Sequence, residues 1–154
     1  MGLKSKLSAQ IEVKAKNDVF HDVFRHKPHH LSTMCPVQAQ GFECLEGDLG
    51  TVGSKICWKY THDGKQKISK QIFEVIDEEK KIMTVREYEG DIVKEYENWK
   101  VSLHVDGEGE KDLVTWTMEY ERPNNNVPEL TSLLQFFIDM TNAIDDHHVK
   151  ARDV

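Results

Sequence analysis

Nowhere in these 154 residues does an apolar run approach the roughly twenty residues that a membrane-spanning helix requires. The start, Met1-Gly2-Leu3-Lys4-Ser5-Lys6, lacks the apolar stretch of a secretion signal. It also places lysine at position 6, where an N-myristoylation signal wants serine or threonine. There is no Asn-x-Ser/Thr sequon. Cysteine is scarce: Cys35, Cys44 and Cys57 are an odd number and widely spaced. That argues against a disulfide framework and against a cysteine-based zinc site, and it suits free thiols in a reducing cytosol. Basic charge is outweighed, with 20 Lys and Arg against 27 Asp and Glu, a net charge of −7 and a pI near 5.6. Such a chain has no electrostatic footprint for nucleic acid, nor a basic amphipathic helix for a membrane surface. The expectation is one cytoplasmic domain over residues 1–154, without nucleic-acid partner or membrane insertion.

What is present is dominated by one amphipathic stretch, Pro128 to about His148. Leu130, Leu133, Leu134, Phe137, Met140 and Ile144 recur at steps of three and four, so they share one face of a helix together with Thr141 and His148. Pro128 and Glu129 suit its first turn, where a fixed φ and a carboxylate meet exposed N–H groups. Most of the remaining chain alternates with the period of a strand. Residues 3–14 put Leu3, Leu7, Ala9, Ile11 and Val13 on one side. Asn17 or Asp18 then caps a short helix with the stripe Val19, Phe20, Val23 and Phe24. Pro28 ends it, and residues 29–34 allow one further turn.

Strands follow over 37–45, with a bulge expected at Gly41, and through Ile56, Trp58 and Tyr60. A turn centred on Asp63-Gly64 leads to a strand read with Ile68, Ile72 and Ile76 on one face and Lys70 and Glu74 between them. Met83, Val85 and Glu87 share a face of the fifth strand. The sixth runs from Val93 through Trp99, Val101, Leu103 and Val105, with Tyr96 out of phase. A turn at 106–109 precedes Val114, Trp116, Met118 and Tyr120 on the inward face of the seventh. Consecutive hairpins require an antiparallel sheet, and with the final helix on one face this is an α+β architecture.

The glycines of Glu46-Gly47-Asp48-Leu49-Gly50-Thr51-Val52-Gly53 invite comparison with a phosphate loop. A P-loop, however, needs Gly-Lys-Ser/Thr opening a helix, whereas here Ser54 precedes Lys55 and a strand pattern follows. Gly47, Gly50 and Gly53 therefore read as a structural loop with positive φ. The pairs His29-His30 and His147-His148 are not chelates, since adjacent side chains diverge, and no metal is expected. No Gly-x-Ser-x-Gly element is present.

In these features the chain resembles the Bet v I/major latex protein family of plants, the pathogenesis-related class ten superfamily with its START-like fold. The features that carry the likeness are the Glu46-Gly47-x-x-Gly50-x-x-Gly53 loop, Pro28-His29-His30, Glu89-Gly90, Trp58-x-Tyr60, the Trp116 strand and the helix from Pro128. The resemblance implies a seven-stranded curved antiparallel sheet wrapped around a long C-terminal helix, two short helices between strands one and two, and a large internal cavity. It further implies a carrier for small hydrophobic ligands of sterol, fatty acid, terpenoid, alkaloid or flavonoid type, linked to defence and stress, without a cofactor, monomeric or weakly dimeric. A minority of relatives are cyclases or isomerases of specialised metabolism.

On that frame the expected cavity wall comprises Phe20, Val23 and His30 from the short helices, and Ile56, Trp58 and Tyr60 from the third strand. Ile68, Lys70 and Ile72 are assigned to the fourth, Val85 and Glu87 to the fifth, Tyr96 to the sixth, and Trp116, Met118 and Tyr120 to the seventh. Leu133, Phe137, Met140, Thr141 and Ile144 come from the helix. Lys70, Glu87, Tyr60 and His30 are the candidates for moving a proton, because an ionisable group on a cavity wall is partly desolvated. The competing reading is a Lys70–Glu87 ion pair or a solvated head at the rim.

Overall fold

The structure, a computed structural model, describes residues 2–14, 19–108 and 111–152. The elements in order are β1 (Leu3–Val13), α1 (Val19–Arg25), a 3-10 turn at Pro28–His30, α2 (Leu31–Met34), β2 (Ala39–Glu46), β3 (Lys55–His62), β4 (Lys65–Asp77), β5 (Ile82–Gly90), a second 3-10 turn at Ile92–Lys94, β6 (Glu97–Glu108), β7 (Lys111–Arg122) and α3 (Thr131–Arg152). The strands form one seven-stranded curved sheet in the order β1-β7-β6-β5-β4-β3-β2. Neighbours pair antiparallel throughout. The sheet wraps around α3, which meets β1, β7 and α2.

Each hairpin has a local cause. Asp63 and Gly64 both adopt positive φ (54° and 74°), the two-residue turn whose twist matches the flanking strands. In β1 the odd-numbered side chains are the less exposed set, as alternation requires. In β7 Val114, Trp116, Met118 and Tyr120 are all buried. The proposed cap at Asn17 or Asp18 and the tip of the turn at 109–110 lie outside the described residues.

Three expectations are corrected. In β4 the buried side chains are Ser69, Gln71 and Phe73, while Ile68 is 42% exposed. Ile68, Lys70 and Ile72 therefore lie on the outer face of the sheet. The reason is a register shift between Phe73 and Val75, where the extra residue Glu74 switches the alternation. Ile76 does pack on the core, and a stripe drawn backward from it lands on the wrong face. The sixth strand starts later than Val93, because residues 92–94 form a 3-10 turn, and Asn98 with φ of 54° sits at a register shift near the start of β6. Finally, α3 begins at Thr131, so Pro128 and Glu129 precede it.

Candidate functional site

Between α3 and the concave face of the sheet lies a hollow. Its volume is about 100 Å³. A single water needs only about 10–15 Å³ of such space, so the hollow has room for an organic molecule. Its lining is almost entirely apolar, and none of the lining side chains carries a charge.

Each wall comes from a different element. Ile56, Trp58 and Tyr60 reach in from β3, Val85 from β5, Trp116 from β7, and Leu133, Phe137 and Met140 from α3, all as expected from alternation and helical spacing. Phe73 and Met83 join them, with Trp99, Val101 and Leu103 of β6. Phe24 and Leu31 come from the short helices, Ala39 from β2 and Ile92 from the second 3-10 turn. Most of these were legible as inward-facing, but alternation does not distinguish core from cavity wall. Phe136 is the residue helical periodicity missed. It neighbours Phe137 and stands edge-on to it with ring centroids 5.5 Å apart, and it also meets Tyr60 at 5.6 Å and His62 at 6.1 Å. The hollow is wide enough to take two adjacent positions of the helix.

Other expected wall residues serve elsewhere. Phe20, Val23, Met118 and Ile144 are buried in the core but do not line the hollow. Thr141 is fully buried and committed: its hydroxyl accepts from Trp116 Nε1 at 2.7 Å and donates to the Phe137 carbonyl at 2.7 Å. Tyr96 Oη donates to the Pro128 carbonyl at 2.7 Å. Tyr120 Oη donates to Glu129 and accepts from Leu130 N–H at 2.9 Å. Glu129 is also held by Ser5 Oγ and by Arg122 Nη2, both at 2.9 Å. This clasp fastens the chain just before α3 to β1 and β7. Burial first, and then the Glu129 contact, push the Tyr120 phenol up to about 12. The Tyr120 hydrogen bond holds Glu129 below the usual carboxylate range.

His30 is exposed, on the 3-10 turn, with its ring against His29. Lys70 is paired with Glu89 directly across the strands rather than with Glu87. The glycine loop is built into the scaffold: Gly50 has φ of 88°, its carbonyl accepts from Arg25 Nε at 2.9 Å, and Gly53 N–H bonds to the Phe73 carbonyl at 2.9 Å.

The polar part of the wall gathers at one place. Tyr60, Ser69 and Gln71 line the hollow, and Gln71 Nε2 donates to Ser69 Oγ at 2.9 Å. Behind them lies Glu87, only 2% exposed. Its Oε2 accepts Val93 N–H at 2.9 Å. Burial pushes its carboxyl up to about 7, and the nearby Ser69 hydroxyl and the N–H groups of Val93 and Ile92 offset only part of the rise. The Tyr60 phenol is raised as well, by burial first and then by Glu87 and Asp91. At the rim, His62 Nε2 lies 3.0 Å from Ser132 Oγ, tying the β3–β4 turn to the first turn of α3.

A family model described as the pathogenesis-related protein Bet v 1 family matches residues 2–151. MLP-like protein 28 of Arabidopsis thaliana is 40% identical over 147 residues, covering 94% of this chain and 44% of the relative. MLP-like protein 34 of the same plant gives 40% over 143 residues, covering 92% and 45%. The chain thus spans less than half the length of these two relatives. The crystal structure of ginseng major latex-like protein 151 from Panax ginseng superposes with a TM-score of 0.92 at 41% identity, covering 96% of this chain and 99% of that one. Norcoclaurine synthase from Thalictrum flavum, in complex with dopamine and hydroxybenzaldehyde, gives 0.76 at 19% identity, covering 97% and 88%, a likeness of fold alone.

Proposed function

The chain belongs to the pathogenesis-related protein Bet v 1 family, and from that premise we propose that it is a single-domain binding protein that carries a small hydrophobic molecule between α3 and the sheet. The observation that carries this reading is the uncharged, largely apolar hollow, far larger than a water. Burial of apolar ligand surface, at about 25 cal/mol per Å², drives entry, and the polar group of Tyr60, Ser69 and Gln71 orients the bound molecule. Ligands of sterol, fatty acid, terpenoid, alkaloid or flavonoid type suit such walls. A cytoplasmic location, a monomer or weak dimer without nucleic-acid partner, and a place in plant defence or stress belong to the same reading. No helix among the described residues is long and apolar enough to cross a membrane.

The test is titration with a fluorescent apolar dye, followed by Met140→Trp, which fills the hollow from α3. Dye affinity should fall at least about tenfold in the folded variant. Unchanged affinity would place the dye elsewhere and sink the cavity reading.

A second reading, a cofactor-independent cyclase or isomerase, draws on one observation: Glu87, buried behind the wall and raised to about 7, acts on the phenol of Tyr60, which lines the hollow. Turnover of a reactive terpenoid or alkaloid intermediate, lost in Glu87→Gln while ligand binding persists, would establish it.

A further inference from the structure

The polar corner of the hollow has a sign. Tyr60 and Glu87 are 6% and 2% exposed, and Tyr60 Oη has no hydrogen-bond partner among the described residues, while the Glu87 carboxyl has only the nearby Ser69 hydroxyl and backbone N–H groups to offset its burial. Ser69 and Gln71, beside them on the wall, are bonded to each other. The charges acting here are negative: Glu87 and Asp91 both bear on Tyr60, and Asp91 on Glu87. The neighbouring cations are engaged elsewhere. Lys94 Nζ lies 3.5 Å from Asp91 Oδ1, Lys67 Nζ lies 3.3 Å from His62 Nδ1, and Lys70 pairs with Glu89 on the outer face. From the 3-10 turn above it Glu87 receives backbone N–H groups and no side-chain cation.

We propose that this corner selects a ligand whose polar end donates hydrogen bonds and bears no negative charge, an amine or a hydroxyl rather than a carboxylate, with Tyr60 Oη on the wall as its partner and the Glu87 carboxylate behind the wall setting the sign of the corner. The proposal rests on the cavity reading above and sharpens it, since it removes fatty acids from the candidate ligands. A buried polar atom left unpaired costs about 1–3 kcal/mol, so a donor that reaches Tyr60 Oη adds affinity that an apolar end cannot. A ligand carboxylate would set a second anion beside Glu87 in a low-dielectric pocket with no cation to offset it. The pH dependence follows. Between about pH 6 and pH 8 Glu87 loses its proton, so an amine that remains protonated binds more tightly as pH rises, and a carboxylate less tightly.

Decylamine, decanol and decanoate share one apolar tail and differ at the head. Their affinities, measured below micelle-forming concentrations by displacement of the apolar dye at about pH 8, should place the amine and the alcohol at least roughly tenfold above decanoate. Glu87→Gln should weaken the amine, strengthen decanoate and flatten the pH dependence of both. Tyr60→Phe keeps the ring and removes only the phenol oxygen. It should weaken the alcohol about threefold and supplies the test should Glu87→Gln fail to fold. Decanoate binding as tightly as decylamine, or a gap untouched by both substitutions, overturns the head-group assignment and leaves the cavity reading standing. If neither the dye nor any of the three probes binds, both fall.

Discussion

Glu87 is where the chemistry of a single side chain reaches the stability of the molecule. Its carboxyl titrates near 7 in the folded protein, against an ordinary value near 4.3. A raised acid is protonated in the folded state at pH values where the unfolded chain has already released its proton. The folded state is therefore favoured below about pH 4 and loses that advantage as pH climbs to 7, by roughly 3 kcal/mol over the interval. Glu87→Gln keeps an acceptor for Val93 N–H and removes the ionisation. Its melting temperature should exceed the parent's by several degrees at pH 8 and by much less at pH 5, measured by thermal denaturation. Gly90 explains a neighbouring constraint. Its φ is 149°, and a Cβ there would lie 2.5 Å from the Ile68 carbonyl oxygen and 3.0 Å from the Glu87 carboxyl carbon. The Glu89-Gly90 pair was visible in the sequence, but the reason for its glycine is the close approach of β4 and of Glu87, which only the fold brings together.

Among the elements, α3 is held at two points by different means. At its middle, Thr141 receives the Trp116 indole N–H and returns its own proton to the Phe137 carbonyl. Thr141→Val keeps the shape and strands a buried indole donor, so it should cost about 1–3 kcal/mol in chemical denaturation. At its start, the clasp of Ser5, Tyr120 and Arg122 on Glu129 fixes where the helix begins. Glu129 is depressed, so its contribution is present above about pH 4.3 and is lost as pH falls through its folded value. Glu129→Gln should speed amide exchange over the first turn of α3 at neutral pH, and the difference from the parent should shrink as pH falls below about 4.3. The clasp also shows what the sequence could and could not disclose. β1 and β7 were readable because their alternation runs unbroken. The helix body was readable from Leu133 to Ile144. Its start was not, because Pro128 and Glu129 satisfy local rules for a first turn and are diverted by side chains from β1 and β7. β4 misled for a related reason, since the bulge at Glu74 is invisible until β5 is laid beside it.

For the whole molecule, the hollow means that helix and sheet meet with space between them, so an occupant acts as part of the core. A ligand bound at a hundredfold excess over its Kd stabilises the folded state by about 2.7 kcal/mol. A bound apolar probe should therefore raise the melting temperature by several degrees, in a concentration-dependent way that Met140→Trp abolishes. The order of the sheet has a separate consequence, in time rather than in space. β1 pairs only with β7, Leu3 lying opposite Arg122, more than a hundred residues apart. During synthesis the first strand leaves the ribosome long before its partner exists, with its inward row from Leu3 to Val13 uncovered. Such distant pairing slows folding, and the nascent chain must keep that strand from joining another copy until the seventh emerges.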